Sequence, residues 1–227
     1  MRHFVSFLTI TALMFATTAG VSAQAMVDAE PINLFESKNI ADWDYHLIDG
    51  GVKTEVFSFT PDGTLLCTGL PYGWLCTKES YTNFKLTLEY RWPEGVTPTN
   101  SGVFVRMRPA PAGAFVPKGF EVQLAHGSAG DIWAFHGATL QGPRFREVLN
   151  HATIGNFQGV RRLVSNENEP GQWNTISILC ADGMIVVSLN GKIVNWTTDA
   201  DREAGPIGLQ SEGGPIEFRN MMLTVLP

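Results

Sequence analysis

The chain has 227 residues, 44% of them hydrophobic and 17% charged, a balance that excludes a disordered tail or a membrane bundle and fits one or two globular domains. A formal charge of −6 leaves no basic surface to neutralise a phosphate backbone, which argues against nucleic-acid binding. Three Cys are too few for a disulfide scaffold, while 23 Gly, 13 Pro and 11% aromatic residues point to tight turns between short strands.

Residues 1–23 read as a secretory signal. Arg2 and His3 precede an apolar run, and Val21-Ser22-Ala23 offers small residues for cleavage before Gln24. The run falls short of the roughly 18 to 20 apolar residues that span a bilayer and is interrupted by Thr9, Thr11, Thr17 and Thr18. The expected mature protein, residues 24–227, is a single exported domain, periplasmic or extracellular, with no membrane span. In an oxidising compartment Cys67 and Cys76 could bridge; the reading favoured here makes all three Cys small buried hydrophobes.

Alternation at period two predicts strands at 65–68, 74–77, 84–92, 101–108, 119–126, 174–180, 184–189, 193–197, 207–211 and 216–226. Asp182-Gly183 and Asn190-Gly191 are two-residue hairpin signals that join three of these into a meander. Helix is expected to be scarce, and the polar segment 141–171 reads as a long irregular excursion. The pattern is that of an all-β antiparallel sandwich or barrel.

On the strand beginning at Phe84, alternation sends Phe84, Leu86, Leu88 and Tyr90 to the core and Lys85, Thr87, Glu89 and Arg91 away from it. The strand holding Phe120, Val122 and Leu124 likewise presents Glu121 and Gln123 on its other face. With Asn100, Arg106, Gln210 and Arg219 on neighbouring segments and Trp133 as a flat partner, these residues suit a carbohydrate cleft. Sugar hydroxyls need paired donors and acceptors, and the apolar ring faces stack on aromatic rings. His126 closes the Glu121 strand and His136 can rim the same cleft; either could shuttle a proton. Asp131, Asp199 and Asp201 sit in acidic loops that could hold Ca²⁺, but they read as solvated acids, and no metal or cofactor is assigned.

Six motifs in register carry a resemblance. Asn100-Ser101-Gly102-Val103-Phe104-Val105-Arg106, Glu121-Val122-Gln123-Leu124, Gly171-Gln172-Trp173-Asn174, Leu189-Asn190-Gly191, Gly205-Pro206-Ile207-Gly208-Leu209-Gln210 and Phe218-Arg219-Asn220 resemble the 3-keto-disaccharide hydrolase domain family, formerly DUF1080. The resemblance runs from about Ile32 to the C-terminus and implies a concanavalin A-like jelly roll of two antiparallel sheets with little helix. Glucanases of that superfamily present two Glu and an Asp on one strand; here the comparable stretch reads Glu121-Val122-Gln123-Leu124-Ala125-His126, without the Asp and the second Glu. The ordinary two-carboxylate route, which needs its carboxyls about 5 Å apart in retaining enzymes, therefore loses support.

The family implies a different chemistry. A ketone at C3 of a sugar acidifies the C2 proton; a base removes it, the enolate expels the C1 aglycone, and water adds back. The resemblance then implies Glu121, His126 or His136 as base, Arg91 or Arg106 as enolate stabiliser, and Glu89, Asn100, Gln123, Trp133, Gln210 and Arg219 as substrate-binding groups. A separate NAD-dependent sugar oxidoreductase would supply the 3-keto substrate. The competing readings are a non-catalytic carbohydrate-binding module and a structural or adhesion domain.

Overall fold

A computed structural model describes residues 30–151 and 155–227 of the chain; the expected signal segment lies outside the described residues. In chain order the strands are β1 (Ile32–Asn33), β2 (Asp44–Leu47), β3 (Phe57–Phe59), β4 (Leu65–Cys67), β5 (Gly73–Cys76), β6 (Phe84–Arg91), β7 (Gly102–Arg108) and β8 (Lys118–Gln123). They continue with β9 (Ile132–Phe135), β10 (Glu147–His151), β11 (Gly155–Val160), β12 (Asn174–Ala181), β13 (Met184–Leu189), β14 (Lys192–Thr197), β15 (Gly208–Ser211) and β16 (Ile216–Val225). Helix among the described residues is limited to single turns such as Lys53–Val56, and none is long and apolar enough to cross a membrane.

Two antiparallel sheets form. The first runs β14-β13-β12-β6-β16-β4-β3 with β1 beside β16, and the second runs β10-β11-β9-β8-β7-β15-β5-β2. Non-consecutive neighbours such as β6 with β12 and β7 with β15 make this the jelly-roll sandwich expected from the sequence. Phe84, Leu86, Leu88 and Tyr90 of the first sheet and Phe120, Val122 and Leu124 of the second share one buried core. Each large apolar side chain buried there contributes roughly 1.5–3 kcal/mol, and this burial fixes which face of every strand turns outward.

All ten expected strands form, within a few residues of their expected ends. The hairpins β12–β13 and β13–β14 do turn at Asp182-Gly183 and Asn190-Gly191; Asn190 and Gly191 both take positive φ, 50° and 80°, whereas in the first turn only Asp182 does. The segment expected to be an irregular excursion is different. It contains β10 and β11, which extend the second sheet beyond β9. Their polar residues give no clean alternation, because β10 is the edge of the sheet and β11 is its neighbour.

Cys67, Cys76 and Cys180 are free and buried. Burial pushes the Cys67 and Cys76 thiols up to about 11 and the Cys180 thiol up to about 12, so they are inert fillers rather than nucleophiles. Cys67 lies in the shared core, while Cys76 packs on the outside of the second sheet with Trp74, Phe104 and Phe135.

Candidate functional site

Three adjacent strands of the second sheet build the site from their outward-facing residues. Across β8 and β7, Glu121 pairs with Phe104 and Gln123 with Gly102; across β7 and β15, Phe104 pairs with Gly208, and Asn100 bridges Glu212 in the same register. Gly102 therefore occupies the middle of a ring formed by Glu121, Gln123, Gln210, Asn100 and Glu212. The absent side chain at 102 leaves the space that the Glu121 carboxyl occupies. These residues line a cleft of about 410 Å³, a volume typical of small-ligand sites, whose other walls include Trp133, Phe135, Phe157, Asp131, Arg161 and Arg162.

Glu121 is 2% exposed, and its Oε1 has no hydrogen-bond partner. Burial first, and the charge of Glu212 second, hold its carboxyl well above the usual carboxylate range. Glu212 is also shifted upward by burial, but the amides of Asn100 and Gln210 donate hydrogen bonds that oppose the shift. Asn100 Oδ1 and Gln210 Oε1 are buried acceptors with no partner, like Glu121 Oε1. Gln123 is oriented differently: its Oε1 accepts from Leu124 N at 3.0 Å and Ala125 N at 2.9 Å, which leaves Nε2 as its free donor. One cleft thus offers unsatisfied acceptors and a directed donor, the complement a sugar's hydroxyls require.

The aromatic wall comes from β9 and β11. Trp133 stacks on Phe157 at 4.8 Å between ring centroids and leans over Gly159, where a Cβ would collide with the indole. Among the charged lining residues Arg162 is committed: it pairs with Asp131 at 3.2 Å and donates to Gly127 O. Glu167 braces the same loop by accepting from Gly127 N at 2.9 Å and contacting His126 Nδ1 at 3.3 Å. Arg161 is exposed at the rim and makes no ion pair among the described residues.

The expected single hollow contains Glu121, Gln123, Asn100, Gln210 and Trp133 but not the rest of the expected set. Glu89, Arg91 and Arg219 lie on the outside of the first sheet, across the whole sandwich from Glu121. There Arg219 Nε donates to Glu89 at 2.6 Å, Arg91 Nε donates to Glu217 at 2.5 Å, and both guanidinium groups cover Trp173. Period-two alternation assigns a face to a residue but not a sheet to a strand, so the sequence alone groups these residues with Glu121.

Arg106 is displaced for another reason. A bulge between Val105 and Arg108, with Arg106 at φ 51°, turns its side chain inward, where it donates to Thr82 O and Asp201 O at 2.8 Å. Met107 joins Phe104 on the outer face instead.

The histidines are peripheral as well. β8 ends at Gln123, so His126 belongs to the following loop and pairs with Glu167. His136, at φ 53°, is held by Val116 O at 3.2 Å. Neither lines the cleft. Conversely, Glu212, Arg161, Arg162 and Phe157 line the cleft without belonging to the set that the sequence pattern points to. Glu212 lies two residues after Gln210, and counting by twos from Gln210 would have found it. The acidic loop residues have partners other than a cation: Asp131 has Arg162, and Asp201 has Thr139 and Arg108. Among the described residues no three acidic, His or Cys side chains converge as a metal site would require.

An antiparallel jelly roll with a polar and aromatic cleft on one outer sheet face defines a concanavalin A-like β-sandwich with a site of small-ligand size. The chain belongs to the 3-keto-α-glucoside-1,2-lyase-like family, whose model matches residues 30–224. Among solved structures, it is similar to a candidate glycosyl hydrolase from Parabacteroides distasonis at 25% identity and a TM-score of 0.59, covering 87% of this chain and 100% of that one. The carbohydrate-binding module CBM66 from Bacillus subtilis shares the fold at 10% identity and a TM-score of 0.57, over 81% and 95% of the two chains. So does the Bacillus licheniformis β-glucanase, at 12% identity and 0.54, over 88% and 98%. No curated sequence relative matches.

Proposed function

We propose that this protein cleaves the glycosidic bond of 3-keto-glycosides, 3-keto-disaccharides included, by removing the C2 proton, eliminating the C1 aglycone and hydrating the product. The family match and the likeness to a candidate glycosyl hydrolase support a glycoside-acting protein. The observation that carries the reading is the buried Glu121 carboxyl, without a partner at Oε1, inside a ring of amide groups with acceptors to spare. A buried carboxyl with a raised pKa is a competent proton-transfer group near neutral pH. A 3-keto sugar needs no second carboxylate as nucleophile, which agrees with Gln at 123 and His at 126.

In this reading the sugar lies over Gly102. A cleft carboxylate removes the C2 proton, Gln123 Nε2 and Arg161 are the donors available to the enolate oxygen, and Trp133 stacks on an apolar ring face. The protein is exported after loss of residues 1–23, and an NAD-dependent sugar oxidoreductase supplies the ketone. The test is incubation with chemically prepared 3-keto trehalose, 3-keto lactose and aryl 3-keto-glucosides beside their unoxidised parents, with products followed by NMR and binding by calorimetry. Cleavage confined to the oxidised series is expected, with cleavage of the 3-keto-disaccharides lost in Glu121→Gln. Equal binding of both series with no product would make the protein a carbohydrate-binding module instead.

A further inference from the structure

Burial raises both carboxyls at the cleft floor, but their surroundings differ in exposure and in hydrogen-bond donors. Glu121 lies across Gly102, is 2% exposed and accepts no hydrogen bond at Oε1. Glu212 stands at the open end of the same row, opposite Asn100, is only half-buried, and receives the amides of Asn100 and Gln210. Donors aimed at a carboxylate favour its ionised form; a dry site without donors favours the protonated form. The electrostatic influence of Glu212 on Glu121 pushes in the same direction, keeping the proton on Glu121. Two carboxyls whose surroundings drive them apart in this way are equipped for opposite proton-transfer roles.

We infer that Glu212 is the base that takes the C2 proton and Glu121 the acid that protonates the departing aglycone oxygen, an assignment that rests on the reaction proposed above. In the elimination, the C2–H electron pair forms the enolate. Its collapse restores the C3 carbonyl, makes the C1–C2 double bond and breaks the C1–O bond, and the aglycone leaves with the proton of Glu121. Hydration runs the roles backwards. Glu121, now a carboxylate, takes a proton from the water attacking C1, and Glu212 returns its proton to C2. The sum is hydrolysis, and both carboxyls end as they began.

The assignment separates two readouts that a merely structural role would move together. In D2O, Glu212→Gln loses C2 hydrogen exchange on a 3-keto-glucoside by about 100-fold or more, whereas Glu121→Gln loses far less. Glu121→Gln instead shows a loss that depends on the leaving group: about 100-fold or more for a sugar or alkyl aglycone, and little for a nitrophenyl aglycone, which departs without a proton. Circular dichroism of both isosteric variants, matching wild type, shows that the sheet is intact. Exchange abolished by Glu121→Gln and retained by Glu212→Gln, or losses equal for all aglycones, overturns the division of roles while leaving the reaction standing. Wild-type protein that neither exchanges C2 hydrogen nor cleaves any 3-keto-glycoside overturns both.

Discussion

The Glu121 side chain crosses directly over Gly102, so closely that a Cβ at position 102 would sit 2.6 Å from Glu121 Cγ. The carboxyl and the glycine are partners in one geometry, because only a residue without a side chain lets the carboxyl lie flat on the strand floor. Gly102→Ala is expected to leave the fold intact, since the position is ordinary strand backbone, but to lower kcat/KM for a 3-keto-disaccharide by about 100-fold by misplacing the carboxyl. The double variant with Glu121→Gln should be scarcely worse than either single one, because both remove the same function. Full additivity of the two losses would show that Gly102 acts elsewhere.

The pH dependence of stability follows from the same burial. The folded state holds the Glu121 carboxyl above its unfolded value of 4.5, so its contribution is intact below that pH and is lost as pH rises through the folded pKa. Glu212, Asp131 with Arg162, and Arg161 face the same cleft; Glu212 is raised too and adds to the same trend. Glu121→Gln cannot ionise. Its Tm should match wild type near about pH 4 and exceed it increasingly toward about pH 8, and parallel melting curves across that range would contradict a buried, proton-retaining Glu121.

Much of this site was legible in the chain before its structure was known. Alternation placed Glu121 and Gln123 opposite the core residues Phe120, Val122 and Leu124, and the buried core confirms that division. It does not tell the outside of one sheet from the outside of the other, so by sequence Glu89, Arg91 and Arg219 fall in with Glu121. Nor could it foresee the bulge that turns Arg106 inward, since a single extra residue changes the phase of every side chain after it. Phe157 and Arg161 were hidden because β11 sits near the sheet edge, where burial imposes little pattern.

The ion-pair cluster outside the first sheet supplies the control. Arg219→Ala breaks the contact with Glu89 and removes one of the two guanidinium groups that cover Trp173. It should leave kcat/KM within about twofold of wild type and cost less than about 1 kcal/mol of stability, as surface pairs generally do. A large loss of activity would mean that this face takes part in the reaction.

The aromatic wall is expected to act on binding more than on chemistry. Trp133→Ala should raise KM for a 3-keto-disaccharide about tenfold, equivalent to about 1.4 kcal/mol, with a smaller change in kcat. Gly159→Ala, which forces the indole out of its seat against Phe157, should reproduce the effect without removing the ring. Steady-state kinetics on both variants checks this, and an effect confined to kcat would contradict a stacking role.

The most direct measurement is a crystal structure of the Glu121→Gln variant soaked with a 3-keto-glucoside. The sugar should lie over Gly102, with its hydroxyls on Asn100, Gln123 and Gln210 and its C2 facing Glu212. A sugar bound on the other sheet beside Trp173, or a glycoside excluded from the cleft at saturating concentration, would contradict the account.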